Sequence, residues 1–289
     1  MDAQTTSEPS VFLRLLRTPV LRLAALLALI FYLYLSGHLF RAAFAHGAFM
    51  NLVVVAWMIA FTLAAYIVFA QAVELRAPNE VSLPGMAREL GAGMLLGAGL
   101  YTACVVVLMA LGYYRIDGFN DPAILFGVLW FAASSGFFEE LIFRGVLFRI
   151  TQEVFGSWVG VIVSSLTFGL VHLNNEGATL KGVMFIAIET GPALAACYML
   201  TGRLWLGIGL HAAWNFTQSG VFSGINSGNE PSKGWIRSVI EGPDLLTGGG
   251  FGMEASIIAF VLWNTLGVIM LIMAARRGKI APPFWARAT

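Results

Sequence analysis

Glu139 and Glu140 are neighbouring carboxylates within a mostly apolar stretch of the chain, residues 130–143. A charged side chain at the centre of a bilayer costs at least ~2.5 kcal/mol on insertion scales, so such residues usually face a partner or a water-filled cavity. Arg144 lies one helical turn after Glu140 and can pair with it. Glu139 points to a different face of the helix and has no such partner there. We therefore expect Glu140 to be structural and Glu139 to be a free carboxyl that can exchange protons as a general acid or base.

Two later apolar segments carry further polar groups that could join this chemistry. His172 ends the string Phe168-Gly169-Leu170-Val171-His172. His211 and Asn215 are four residues apart, so on a helix both side chains look the same way and can present two hydrogen-bond donors to one oxygen, as an oxyanion site requires. The alternatives are an interfacial role for His172 and hydrogen bonding between helices for His211 and Asn215.

The composition indicates which elements must position these residues. The chain has 289 residues, of which 58% are hydrophobic and 11% are charged. Because soluble domains carry about 25% charged residues, the sequence predicts an all-α polytopic membrane protein. Helices of about 20 apolar residues span a bilayer, and eight are predicted, at residues 20–40, 49–73, 91–113, 122–150, 157–174, 182–200, 203–223 and 254–275. No basic patch for nucleic acid is present, and Cys104 and Cys197 are expected to be small buried hydrophobes.

The distribution of basic residues predicts the orientation of these spans. With eight spans, both termini lie on the side that holds most of the arginines and lysines, which the positive-inside rule makes the cytoplasm. The first apolar run, residues 23–39, is long for the core of a signal peptide, and Arg41 interrupts the approach to the small residues that follow it. We interpret this run as an uncleaved anchor, although Ala43-Phe44-Ala45 resembles a cleavage site.

The chain is predicted to be a single integral membrane domain, residues 1–289, with one long loop. Residues 224–253 are rich in Gly, Asn, Ser and Pro and are expected to form an extracytoplasmic loop, either a mobile surface loop, which we favour, or a lid that contacts substrate. Trp235-Ile236 and Val239-Ile240 are expected to form a short turn at the membrane interface. Gly93 and Gly97 have the GxxxG spacing of close helix packing, within the chain or between chains.

Together, the three strings form a more specific pattern than any of them alone. The order EExxxR, FxxxH and HxxxN on successive spans resembles the CPBP family of intramembrane proteases, the CAAX-protease and bacteriocin-processing family, which includes the type II CAAX prenyl endopeptidases. All three motifs are present without substitution. The resemblance covers about residues 120–223, the predicted motif-bearing core. It implies a fold of eight membrane helices around an intramembrane catalytic cavity.

The resemblance also implies roles for the motif residues. Glu139 matches the base that activates water, and His172 helps to hold or activate that water. His211 and Asn215 match the pair proposed to stabilise the oxyanion. The resemblance further implies a supporting set, consisting of Glu140, Arg144 and Phe168. The expected reaction is hydrolysis of a peptide bond of a membrane-associated substrate, with no covalent enzyme intermediate.

Metal dependence is a second form of the same hypothesis. Glu139, His172, His211 and Asn215 could together bind zinc and leave a position for water. Neither histidine belongs to a zinc-type pair at i, i+4, and asparagine is an unusual zinc ligand. A mechanism without a cofactor is therefore favoured, with zinc as the alternative.

Two other classes of function fit some of the same features. Intramembrane carboxylates and histidines also form proton relays in transporters, but no internal repeat supports one here. A catalytically inert scaffold that binds a membrane partner is the third hypothesis. Family members process prenylated C-termini or act in peptide maturation and immunity to secreted peptides, and the compact chain suits a bacterial inner membrane. A membrane-tethered peptide or protein is the expected partner, within the lipid bilayer and without nucleic acid.

Overall fold

The structure, a computed structural model, describes residues 10–230 and 233–286, and within these ranges it is mostly helical. This confirms the predicted all-α membrane class. The two termini, for which a cytoplasmic location is predicted, lie outside the described residues, as do residues 231–232 of the predicted loop. The helices are α1 Val11–Leu16, α2 Pro19–Phe44, α3 Ala48–Ala72, α4 Met86–Ala110, α5 Ile124–Glu140, α6 Arg149–Val171, α7 Leu180–Ile188, α8 Thr190–Thr201, α9 Trp205–Asn215, α10 Asp244–Thr247 and α11 Ile257–Arg276.

Six helical stretches of the described chain are long and apolar enough to cross a membrane. They are Pro19–Phe44, Ala48–Ala72, Met86–Ala110, Ile124–Asn174, Leu180–Thr201 and Ile257–Arg276. The predicted number of eight is therefore not confirmed. The difference has two causes: the predicted fourth and fifth spans follow each other directly, with only a break at Gly156 between them, and α9 has only 11 residues.

The stretch Ile124–Asn174 is bent at a single glycine. Its 51 residues would reach about 77 Å as one helix, more than twice the hydrocarbon thickness of a bilayer. Gly156 interrupts it with φ 83°, a left-handed conformation that glycine adopts without steric cost. The end of the chain closes this bend, because the Ser157 N–H donates to Ala281 O at 2.9 Å and the Ala281 N–H donates to Ser157 Oγ at 2.8 Å.

Two short strands are the exception to the helical architecture. β1 (Tyr114–Phe119) and β2 (Ile236–Ile240) pair antiparallel, with a register irregularity between Ile116 and Gly118. The predicted interfacial turn at residues 235–240 is therefore wrong. Five residues are too few for periodicity to identify a strand, and this one is formed by its pairing with β1, more than 100 residues earlier in the chain.

Small residues set the distance between the helices around the polar groups. A Cβ at Gly97 would lie 2.1 Å from Leu210 O, and one at Gly93 would lie 2.2 Å from Leu206 O. The GxxxG spacing therefore serves packing of α4 against α9 within the chain. Gly136 of α5 is equally close to Ala212 of α9, where a Cβ would lie 2.9 Å from the backbone nitrogen. These approaches bring the ends of α5 and α9, which carry the motifs, side by side.

Candidate active site

The two glutamates lie at the last turn of α5, where the helix changes its hydrogen-bonding pattern. Leu141–Phe148 forms a π-helical segment directly after Glu140. Wide turns of this kind occur frequently at functional sites. The predicted pair forms across it: the Arg144 Nη1 donates to Glu140 Oε1 at 2.9 Å, and both side chains are buried. Arg144 also donates to Gly191 O at 3.1 Å, and its guanidinium lies 4.5 Å from the centre of the Phe168 ring. The charge of Arg144 is thus held by three groups on three segments.

Glu139 differs from its neighbour in both exposure and partners. Its side chain is 30% exposed, whereas that of Glu140 is 1% exposed. Glu139 Oε2 accepts no hydrogen bond from the described residues and lies 3.8 Å from His211 Nε2. A carboxylate with an open oxygen beside an imidazole can accept a proton from a third group placed between them.

His172 follows α6 directly and begins a turn of 3-10 helix, His172–Asn174. Its Nδ1 lies 2.7 Å from Phe168 O. Because a carbonyl oxygen only accepts hydrogen bonds, Nδ1 carries the proton, and Nε2 of the neutral ring has a free lone pair. The Phe168 ring packs edge-on against both His172 and His211, with centroid distances of 5.1 and 5.8 Å. Phe168 therefore separates and orients the two imidazoles.

His211 and Asn215 lie in the last turn of α9, before a second π-helical segment, Phe216–Val221. His211 Nδ1 lies 3.1 Å from Glu140 Oε1, so that carboxylate contacts both Arg144 and His211. The Asn215 Nδ2 donates to Ser135 Oγ at 2.9 Å. This engages one of the two amide hydrogens of Asn215, so a single N–H remains for another acceptor.

All four predicted catalytic residues line one cavity of about 560 Å³. Its walls combine aromatic rings from α2, α5 and the π-helical segment after α5 with polar side chains from α5 and from the segments after α6 and α9. The aromatic walls are Phe31, Tyr34, Phe131, Phe138 and Phe143, and the polar walls include Ser135, Asn174, Asn175, Asn226, Ser227 and Asn229. A volume between ~300 and ~1,000 Å³ is typical of ligand pockets. The cavity can hold a short peptide segment beside the four polar groups.

The donor geometry does not fit the zinc alternative. Among the described residues, no three His, Cys, Asp or Glu side chains converge as metal ligands would. Glu139 and His211 face each other, but Asn215 has its oxygen engaged by Asn226 and its nitrogen by Ser135. We therefore derive no chemical step through a metal.

Sequence reasoning missed several polar residues that contact this cluster. Asn226 and Ser227 were assigned to a surface loop, yet each is only 6% exposed and both line the cavity. The preference for a mobile surface loop is therefore wrong for these residues. Gln218 and Glu254 are buried behind them. Glu254 could have been found, because it begins the last predicted span and an acidic residue at that depth is a functional candidate by the same argument as Glu139.

Both cysteines are free and buried, as predicted.

Comparison with known proteins identifies the segment that contains the motifs. No curated protein and no solved structure matches the chain. Residues 121–217 match the family model described as type II CAAX prenyl endopeptidase Rce1-like. The matched range contains Glu139, His172, His211 and Asn215, together with the ion pair and Phe168 that hold them. Within an integral membrane protein, residues 121–217 are thus similar to the Rce1-like family of type II CAAX prenyl endopeptidases.

Proposed function

We propose that this protein is an intramembrane endopeptidase that hydrolyses a peptide bond of a membrane-associated substrate, with prenylated C-termini as the first substrate class to test. The observation that carries the proposal is the carboxylate of Glu139, whose Oε2 accepts no hydrogen bond from the described residues. Glu139 lines the same cavity as His172, His211 and Asn215. The proposed location is a bacterial inner membrane with both termini in the cytoplasm. The excess of basic residues on the predicted cytoplasmic side supports that orientation.

The proposed reaction begins with a water molecule held between Glu139 and His172. The free Nε2 lone pair of His172 accepts a hydrogen bond from the water and orients it. Glu139 removes a proton as the water oxygen attacks the carbonyl carbon of the substrate, and the carbonyl oxygen takes up the negative charge. Glu139 then passes the proton to the leaving amine as the C–N bond breaks. The products are a carboxylic acid and an amine, and Glu139 is regenerated.

The contacts of His211 support a role in stabilising that oxyanion. Nδ1 of His211 faces a carboxylate and must therefore carry a proton. Nε2 can donate a second hydrogen bond only if the ring is an imidazolium. A charged His211 with Arg144 would balance the two negative charges of Glu139 and Glu140. In that state the Nε2–H of His211 and the remaining N–H of Asn215 are the two donors, and each such donor contributes about 3 kcal/mol in other proteases.

The walls of the cavity support a hydrophobic substrate. Phe31 on α2 lines the cavity and is 60% exposed. A substrate chain that lies in the bilayer can therefore reach the cavity past an aromatic side chain. The aromatic and aliphatic wall residues can pack against the apolar part of such a substrate, and the polar wall residues can bind its peptide groups.

Cleavage by purified protein in liposomes tests the proposal. The substrates are a mixed library of membrane-tethered and farnesylated peptides, and the variants are Glu139→Gln and His172→Ala. Glu176→Gln is the matched control, because Glu176 is an exposed carboxylate close to His172 in sequence and outside the cavity. We expect wild type and the control to cleave, both active-site variants to fail, and chelator to leave the wild-type rate unchanged.

Three other results would each support a different hypothesis. Activity lost to chelator and restored by zinc would establish the metal-dependent form. A folded wild type that cleaves nothing but shows flux dependent on Glu139 would support a transporter. Biological function preserved in Glu139→Gln would support an inert scaffold.

A further inference from the structure

Asn226 makes a contact that bears directly on the oxyanion site. Its Nδ2 donates to Asn215 Oδ1 at 3.0 Å. An amide has a donor end and an acceptor end that are almost identical in shape, so the direction of Asn215 depends on its partners. Ser135 sets that direction only weakly, because its hydroxyl can donate or accept and its own bond to Ala132 O is 3.4 Å long. The amide nitrogen of Asn226 only donates, and it therefore selects the orientation in which the Asn215 N–H groups point to Ser135 and the cavity.

The orientation of the Asn226 side-chain amide is itself fixed by its contact with Gln218. Its Nδ2 also lies 3.3 Å from Gln218 Oε1, which accepts from it. The nitrogen of Gln218 donates to Glu254 Oε2 at 2.7 Å and to Ile225 O at 2.5 Å. A carboxylate and a carbonyl both accept, so they leave the Gln218 amide only one orientation. The series of amides from Gln218 through Asn226 to Asn215 thus has a defined direction, set by Glu254 and the Ile225 carbonyl.

The backbone near Asn226 is strained at two residues. Ser223 and Ser227 have φ of 55° and 49°, values that non-glycine residues rarely adopt. Ser227 Oγ donates to Glu254 Oε1 at 3.2 Å, and the Asn175 Nδ2, from the turn after His172, donates to Ser227 O at 2.6 Å. Strain of this kind persists where surrounding contacts determine the conformation and is frequent at functional sites.

We propose that Asn226 is a positioning residue that orients the Asn215 amide toward the oxyanion, with Gln218 and Glu254 fixing its direction. This inference rests on the proposed endopeptidase function and deepens it. It makes the segment after α9 part of the catalytic machinery, although the family match ends at residue 217. Asn226 acts through Asn215, and so its loss affects the transition state more than substrate binding.

A double-mutant cycle in the liposome cleavage assay tests this role. The variants are Asn226→Ala, Asn215→Ala and the double variant, with kcat and KM measured for each. We expect Asn226→Ala to lower kcat about 10-fold with KM changed less than about 3-fold, and to have almost no further effect when Asn215 is already alanine. Asn264→Ala is the control, since among the described residues Asn264 of α11 donates to Phe260 O of its own helix and to no residue of the cavity.

A near-isosteric variant separates positioning from folding. Asn226→Asp keeps the size of the side chain but replaces the donor with an acceptor, which would repel Asn215 Oδ1. We expect it to lower kcat at least as much as Asn226→Ala, while thermal unfolding and elution in detergent stay close to those of wild type. Four results would each overturn the positioning role of Asn226. They are a kcat equal to that of wild type, a change confined to KM, an equal loss of kcat in the Asn215→Ala background, and aggregation of both Asn226 variants.

A wild type that cleaves no peptide would overturn the endopeptidase function and this inference together. An active wild type with an unaffected Asn226→Ala variant would overturn only the inference.

Discussion

Two groups of carboxylates in this protein are similarly buried but differently paired. The arginine network consists of Arg22, Arg76 and Arg149 with Glu74, Glu80 and Glu153, and it joins α2, α6 and the segment after α3. Glu74 in this network has a fully buried side chain that contacts three arginines at 3.3, 2.7 and 2.8 Å. Around the cavity, Arg144 pairs with Glu140, whereas Glu139 and Glu254 contact no arginine or lysine in the described part of the chain.

The difference indicates how one residue type serves two purposes. A buried carboxylate with every oxygen paired to a cation fixes helices in place, since breaking the pair would leave an uncompensated charge. A carboxylate without a cationic partner can instead accept a proton, as we propose for Glu139, or orient an amide, as Glu254 does for Gln218. We therefore expect substitutions in the arginine network to change stability and substitutions around the cavity to change catalysis.

Glu139→Gln is the sharpest test of this comparison and carries the largest expected effect. The amide cannot accept a proton from water, and we expect kcat to fall about 1,000-fold, or ~4 kcal/mol in the barrier. Because Glu139 Oε2 has no hydrogen bond to lose, the midpoint of thermal unfolding in detergent should stay within about 2 °C of wild type. A large loss of stability in this variant would place Glu139 with the structural carboxylates.

Glu74→Gln should have the opposite profile. It removes the charge that three arginines share, among them Arg149, whose side chain is 6% exposed. Leaving a buried cation without its partner costs about 3 kcal/mol, which thermal or denaturant unfolding will measure. The kcat of the protein that remains folded should be unchanged. A reduced kcat with normal stability would show that the arginine network acts on the cavity.

The pH dependence of the free energy of unfolding should report on the arginine network separately from the cavity residues. Burial alone would raise the pKa of Glu80, but hydrogen bonds from Arg76 and Tyr66 outweigh it and hold the pKa below its ordinary value of 4.5. The stabilisation is therefore complete above pH 4.5 and is lost as the pH falls through the lowered pKa of the folded state. Unfolding of wild type and Glu80→Gln, compared from pH 7 downward, should converge below that value. A difference that stays constant with pH would contradict this assignment.

The exposed pair between Arg115 and Glu241 should show the smallest effect. It joins the region of β1 to the residue after β2 at 3.3 Å, with side chains 68% and 75% exposed. Pairs so exposed contribute less than about 1 kcal/mol and are screened by salt. Glu241→Gln should change the unfolding midpoint only marginally and kcat not at all. A substantial effect of this substitution on kcat would show that the paired strands influence the cavity.

The sequence predicted the features that depend on local spacing. Glu140 and Arg144 are one turn apart, and their pair forms as the helical geometry requires. The apolar runs predicted the positions of the long helices, because hydrophobicity and length are sufficient for that inference. How the motif residues of different helices meet was harder to infer, because no spacing within one helix determines it. Two π-helical segments lie next to these residues, and no hydrophobic pattern in the sequence predicts them.

Features that depend on distant segments could not be predicted. The contacts of Asn226 with Asn215 and of Gln218 with Glu254 join residues 11 and 36 positions apart in irregular segments. Composition indicated a loop there, and a loop rich in Gly, Asn and Ser is compatible with either a mobile surface or a packed cap. Whether the loop packs or stays mobile depends on whether neighbouring segments offer it hydrogen-bond acceptors and a cleft to fill.

The bend at Gly156 has a consequence for the order in which the protein assembles. The residues that close it, Ala281 to Pro283, follow the two arms that carry Glu139 and His172 in the chain and are therefore synthesised after both. We expect the membrane segments to be inserted before this bend is closed and the final register of the two arms to be reached only after residues 281–283 have been made.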